Sequence, residues 1–140
     1  MTFYSWTTSK SILLNANSWG IIIGKKEILA SWKNNEMGDT AVVDKKKLKQ
    51  TDTLFVQRYL CGYSGQNSVT TLTIKNEQNE IIKEAIYKDS RLMFTAKMSV
   101  SDFLTSTKFR NGQILSVYFT IDSKTEKVNQ TVLLGRLKLK

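Results

Sequence analysis

The densest cluster of charge in the sequence is a basic run formed by Lys45, Lys46, Lys47 and Lys49. Lysines grouped in this way attract nucleic acids and other polyanions. Only four of the 21 basic residues are arginine, whose planar fork makes the bidentate contacts that specific phosphate and base recognition use. The run is therefore a candidate polyanion contact, although a lysine-rich surface more often serves solubility.

A second candidate site is an aromatic platform. Tryptophan and tyrosine side chains can stack on sugars or on single-stranded bases. Trp19 and Tyr63 are the members that we expect to be exposed, because each lies beside a glycine in a predicted turn. The alternative is that the aromatic side chains of this chain fill the core, which is the default for tryptophan in a β-sandwich of this size.

The residue types on which most enzymes depend are scarce. The chain has no histidine, so the commonest general base and the commonest metal ligand are missing. Its single cysteine, Cys61, lies near Arg58, which would favour a reactive thiolate, but a buried strand cysteine is the more ordinary explanation. The closest carboxylates fall in predicted turns. The sequence therefore predicts a protein that is not an enzyme and that needs no metal or cofactor.

Length and composition limit the architecture. With 140 residues, 41% of them hydrophobic and 24% charged, the chain suits a single domain over residues 1–140. No apolar run approaches the roughly 20 residues that cross a bilayer, so no transmembrane segment is predicted. The absence of a signal-peptide pattern and of a second cysteine favours the cytoplasm, although a mature secreted chain would show the same features.

The clearest predicted element is a hairpin over residues 108–140. Its inner positions are Leu115, Val117, Phe119 and Ile121 on the first strand and Leu133, Leu137 and Leu139 on the second. On the first strand these alternate with polar residues, as is typical of a half-buried strand. We expect the last strand to lie at or near a sheet edge, where its lysines guard it or a partner covers it.

Shorter alternating runs separated by turn signals bring the total to about seven to nine strands. This pattern predicts an all-β fold, an antiparallel β-sandwich of the Ig-like or jelly-roll-like kind, with at most one short helical turn near residues 101–106. Residues 19–32 form either a second hairpin or, over 25–32, a short helix. The polar stretch 33–52 is expected to be a polar loop or mobile segment, or to contain a short strand at its apolar island 41–43.

These observations predict a non-enzymatic β-sandwich that works by binding a protein partner or by self-assembly. The chain has no proline with which to block its strand edges, so those edges can pair with other chains. One alternative is a nucleic-acid or other polyanion binder that uses the basic run. A further alternative is a carbohydrate-binding domain that uses the aromatic platform.

Overall fold

Strands make up most of the residues that the structure describes. The computed structural model describes residues 17–60, 68–88, 93–104, 112–125 and 127–140. The strands are β1 (Asn17–Ile23), β2 (Lys26–Ala30), β3 (Asp39–Val43), β4 (Thr53–Leu60), β5 (Ser68–Lys75), β6 (Ile81–Lys88), β7 (Met93–Ser99), β8 (Ile114–Ser123) and β9 (Val128–Leu139). One short helix, α1 (Val100–Leu104), and two 3-10 turns, Ser31–Lys33 and Lys45–Lys47, complete the described elements.

The strands form two sheets that pack face to face. One sheet has four strands in the order β2-β1-β4-β7, and the other has five in the order β3-β9-β8-β5-β6. The pairing of β3 with β9 is parallel, and the remaining pairings are antiparallel. The predicted all-β sandwich and its helical turn are confirmed. The sequence did not predict the parallel pair or the two 3-10 turns.

The two sheets meet along both sides of the sandwich. The edge strands β2 and β3 contact each other on one side, and the edge strands β6 and β7 do so on the other. We call the end with the β8–β9 connection the upper end and the end with the β5–β6 connection the lower end.

The core lies between the sheets and largely follows the predicted alternation. The four inner positions of β8 are at most 1% exposed. In β9 the prediction for Leu133 is wrong, since Leu134 is the buried residue and Leu133 pairs with Tyr118 on the outer face. The cause is a β-bulge next to Val117, which places one extra residue in β9 and reverses its alternation from that point.

Two stretches that the sequence left open have definite structures. Residues 19–32 contain the β1–β2 hairpin, whose register runs from Gly20 opposite Ala30 to Ile23 opposite Lys26. Residues 33–52 contain β3 and the 3-10 turn over the first lysines of the basic run. Because β3 pairs with the last part of β9, the closing strand is second from the edge and is covered by the chain itself.

Candidate functional site: a lysine-rimmed pocket

The basic run lies in a corner of the lower end where three segments of the chain meet. The Lys45 N–H donates to the Lys140 carbonyl at 3.3 Å, and the Lys140 N–H donates to the Val43 carbonyl at 2.9 Å. These bonds join the run to the end of β9. The β1–β2 turn joins the same corner, because the Gly24 N–H donates to the Thr53 carbonyl at 2.9 Å.

Two aspartates set the local conformation of the basic run. Asp44 Oδ1 accepts from the backbone N–H of Lys46 at 3.0 Å and so caps the 3-10 turn. Asp52 Oδ2 accepts from the backbone N–H of Lys49 at 2.9 Å. Both carboxylates therefore fix the backbone of the run. Its lysine side chains are exposed at 46, 47 and 49 and half-buried at 45.

A pocket of about 280 Å³ opens at this corner, between the edge strands β2 and β3. Its apolar lining consists of Ile23, Ile28, Val42, Val43 and Leu48. Ile23 and Val43 are each 4% exposed and belong to the core, whereas Val42 is 63% exposed. The pocket is therefore a part of the hydrophobic core that reaches the surface.

The rim of this pocket is basic. Lys26, Lys47 and Lys140 line it together with Asp44 and Asp52. We call the surrounding lysines the basic corner; its members are Lys25, Lys26, Lys45, Lys46, Lys47, Lys49, Lys138 and Lys140. An apolar floor inside a charged rim is the arrangement that protein interfaces use to hold one anchoring side chain.

Of the two residues named for the predicted aromatic platform, Trp19 is not at the surface. Trp19 is 3% exposed and points into the core with Ile21, so its predicted exposure is wrong. Tyr63 lies outside the described residues. Trp32, which is 48% exposed, contacts Gly20 on the outer face of the four-stranded sheet, and its Nε1 donates to Glu27 Oε2.

Two of the turn carboxylates accept hydrogen bonds from other parts of the protein. Glu77 Oε1 accepts from the Ile114 N–H at 3.2 Å, and Glu80 Oε1 accepts from Asn76 Nδ2 at 2.9 Å. Among the described residues, no group of three or more histidine, cysteine, aspartate or glutamate side chains could hold a metal ion. No described helix has the length and apolarity that crossing a bilayer requires. Cys61 lies outside the described ranges.

Sequence reasoning located the basic run but missed the pocket beside it. Leu48, inside the run, and the apolar pair Val42 and Val43 just before it were the local signals of a buried surface. The approach of Lys26 and Lys140 depends on the pairing of strands far apart in the chain. No local pattern shows that pairing.

A scan against family models finds no match, and a search of curated proteins finds none either. Function is therefore inferred from the site itself.

Proposed function

We propose that the protein is a non-enzymatic binding module whose basic corner holds an acidic segment of a partner protein. The observation that carries this proposal is the apolar pocket inside the lysine rim. One apolar side chain of the partner enters the pocket, and the carboxylates on either side of it meet the lysines. Burial of the anchor supplies most of the affinity, and the charges supply orientation and a fast association rate.

The size of the pocket supports a side chain as its occupant. At about 280 Å³ it lies just below the range of roughly 300–1,000 Å³ in which small-molecule and cofactor pockets fall. It also opens at a side of the sandwich, where an extended peptide can approach along the edge strands β2 and β3. A single leucine or phenylalanine with acidic neighbours matches both the volume and the charge.

Nucleic acid is the second candidate partner, because the same lysines attract phosphates. Such binding would use the charge of the corner and leave the pocket empty, so the two candidates respond differently to changes in the pocket. Self-assembly through this corner is disfavoured, since two copies would bring like-charged lysines together.

Fluorescence anisotropy with three labelled probes tests the proposal. The probes are an acidic peptide with one central leucine, the same peptide with serine in place of leucine, and a single-stranded oligonucleotide of equal charge. Burying a leucine side chain is worth about 1.5–3 kcal/mol, so we expect the leucine peptide to bind about tenfold more tightly than the serine peptide, or better. The oligonucleotide should bind less tightly than the leucine peptide at about 0.15 M salt.

Two variants separate the pocket from the charge. Val42→Ser removes an exposed apolar wall and keeps every lysine, so it should weaken the leucine peptide several-fold without changing the salt dependence of binding. Lys46→Gln with Lys49→Gln should instead reduce that salt dependence, and Lys83→Gln with Lys88→Gln on β6 is the matched control. Equal affinity for the leucine and serine peptides would reject a protein partner. So would an oligonucleotide that binds more tightly than the leucine peptide and whose affinity is unchanged by Val42→Ser.

A further inference from the structure

The interior of the sandwich changes from apolar to polar toward its upper end. On the inner face of the three central strands β5, β8 and β9, the lower cross-strand rows contain only apolar residues and glycine. The two uppermost rows are Thr70 with Ile121 and the exposed Gln130, and Ser68 with Ser123 and Val128. Thr70, Ser68 and Ser123 are at most 4% exposed, so the change lies inside the fold.

The four-stranded sheet changes in the same direction. The inner positions of β4 are Leu54, Val56 and then Arg58, and Arg58 is only 5% exposed. Its Nη2 donates to Gln130 Oε1 at 3.0 Å, which places the guanidinium across the sandwich from the polar rows. A buried cation therefore faces the polar part of the opposite sheet.

The polar groups at this level are only partly satisfied. Arg58 Nε and Nη1 are buried and have no hydrogen-bond partner, and the same is true of Thr70 Oγ1. Burial lowers the pKa of Arg58 from its usual value, because desolvation penalises the charged form. Buried arginine is normally paired, since an unpaired charge inside a protein is strongly destabilising. Two side chains with unpartnered polar atoms, a guanidinium and a hydroxyl, thus lie toward the same end of the sandwich.

We propose that Arg58 anchors a binding site for a small carboxylate or comparable oxyanion at the upper end of the sandwich, where its guanidinium contacts Gln130 and the unpartnered Thr70 hydroxyl lies on the inner face of the opposite sheet. A guanidinium is the group best suited to this ligand, because its N–H fork matches the two oxygens of a carboxylate or the edge of an oxyanion. The site lies at the opposite end of the sandwich from the basic corner. Its ligand is independent of the partner proposed for that corner.

Thermal unfolding in acetate and in phosphate tests this site. Each anion is added at millimolar concentration while sodium chloride holds the ionic strength constant. A ligand that binds only the folded state, at about ten times its Kd, should raise the unfolding midpoint of a chain of this size by about 3–5 °C. Arg58→Met should abolish the rise, and Arg58→Lys, which keeps the charge and loses the fork, should reduce it.

The Lys46→Gln, Lys49→Gln variant is the control for anions bound at the basic corner, and it should keep the full rise. In parallel, the Nε–H resonance of Arg58 in ¹H–¹⁵N spectra of the unaltered protein should shift on addition of acetate or phosphate. This measurement does not require any variant to fold. An unchanged Nε–H resonance with both anions, or an equal midpoint rise in Arg58→Met, overturns the proposal whatever the outcome at the basic corner.

Discussion

At the scale of single residues, the sandwich depends on a close approach of its sheets at Gly135. A Cβ atom at this position would lie 2.6 Å from Leu29 Cδ1 and 3.2 Å from Ile21 Cδ1, and both of those side chains are buried. Gly20 has an equally close neighbour, since its Cβ would lie 2.4 Å from the end of the Trp32 ring. Trp32 is half-exposed, so it has room to move where the core residues do not.

Gly135→Ala should therefore cost more stability than Gly20→Ala. We expect Gly135→Ala to lower the free energy of unfolding by about 1–3 kcal/mol, the usual cost of overpacking a core. Gly20→Ala should cost less than about 1 kcal/mol, because Trp32 can swing outward. Urea unfolding of both variants measures the difference. Equal losses would show that the two sheets adjust at Gly135 as easily as Trp32 does.

Single residues were predictable where one local pattern decided their environment. The inner positions of β8 followed from alternation alone, since every polar neighbour of Leu115 to Ile121 faces outward. Trp19 was assigned to a turn because Gly20 follows it. Gly20 instead lies in β1, where the lack of a side chain lets the Trp32 ring pack against the strand. Arg58 was considered only beside Cys61. Its inward direction was visible from the alternation of Leu54 and Val56, but its burial depends on the opposite sheet.

At the scale of elements, a side chain of β6 forms hydrogen bonds with the backbone of the edge strand β7. The Tyr87 hydroxyl donates to the Lys97 carbonyl, and the Lys97 N–H donates to the same hydroxyl oxygen at 3.3 Å. One tyrosine thus occupies both backbone groups of an edge residue. In a chain without proline, this contact limits pairing of the edge with other chains.

Tyr87→Phe should open this edge while keeping the aromatic packing. We expect a loss of about 0.5–1.5 kcal/mol in the free energy of unfolding and faster hydrogen exchange at the Lys97 amide. Tyr118→Phe, on the outer face of β8, is the control and should leave exchange at Lys97 unchanged. If Lys97 exchanges at the same rate in both variants, the hydroxyl of Tyr87 does not protect the edge.

Elements were predictable when their residues alternate without interruption, and less so when long-range pairing decides. The β8–β9 hairpin follows from its own sequence and turn. The β1–β2 hairpin does not, because residues 25–32 also fit a short helix and only the pairing with β1 decides between them. The bulge beside Val117 does not disturb the alternation of β8. It changes which residues of β9 face inward, because the extra residue lies in that strand. Strand β3 has only five residues, of which Val43 is buried and Ala41 packs partly against the core, so its place depends on the parallel pairing with β9.

At the scale of the whole molecule, opposite ends of the sandwich carry different kinds of polarity. The lower end has positive charge on its surface, around a pocket that opens from an apolar interior. The upper end has a buried cation bonded to an amide, and the sheet opposite it carries buried hydroxyl groups. The net charge of +9 was evident from composition, but its concentration at one corner arises when β3 and β9 bring distant lysines together.

This concentration of charge predicts how stability depends on salt. Like charges repel most strongly when they are close, and salt screens that repulsion over a Debye length of about 10 Å at 0.1 M. The midpoint of thermal unfolding should therefore rise between about 10 and 200 mM sodium chloride. Replacing Lys46, Lys47 and Lys49 by glutamine takes the net charge from +9 to +6 and should flatten this rise.

The matched control replaces Lys83, Lys88 and Lys124, three exposed lysines outside the basic corner, and makes the same change in net charge. Because these lysines are separated from the corner, their loss should leave most of the salt dependence in place. If both triple variants flatten the rise equally, the protein responds to its total charge. If the variant at the basic corner flattens the rise more than the control does, the lysines of the corner repel one another in the folded state. An acidic partner would relieve that repulsion.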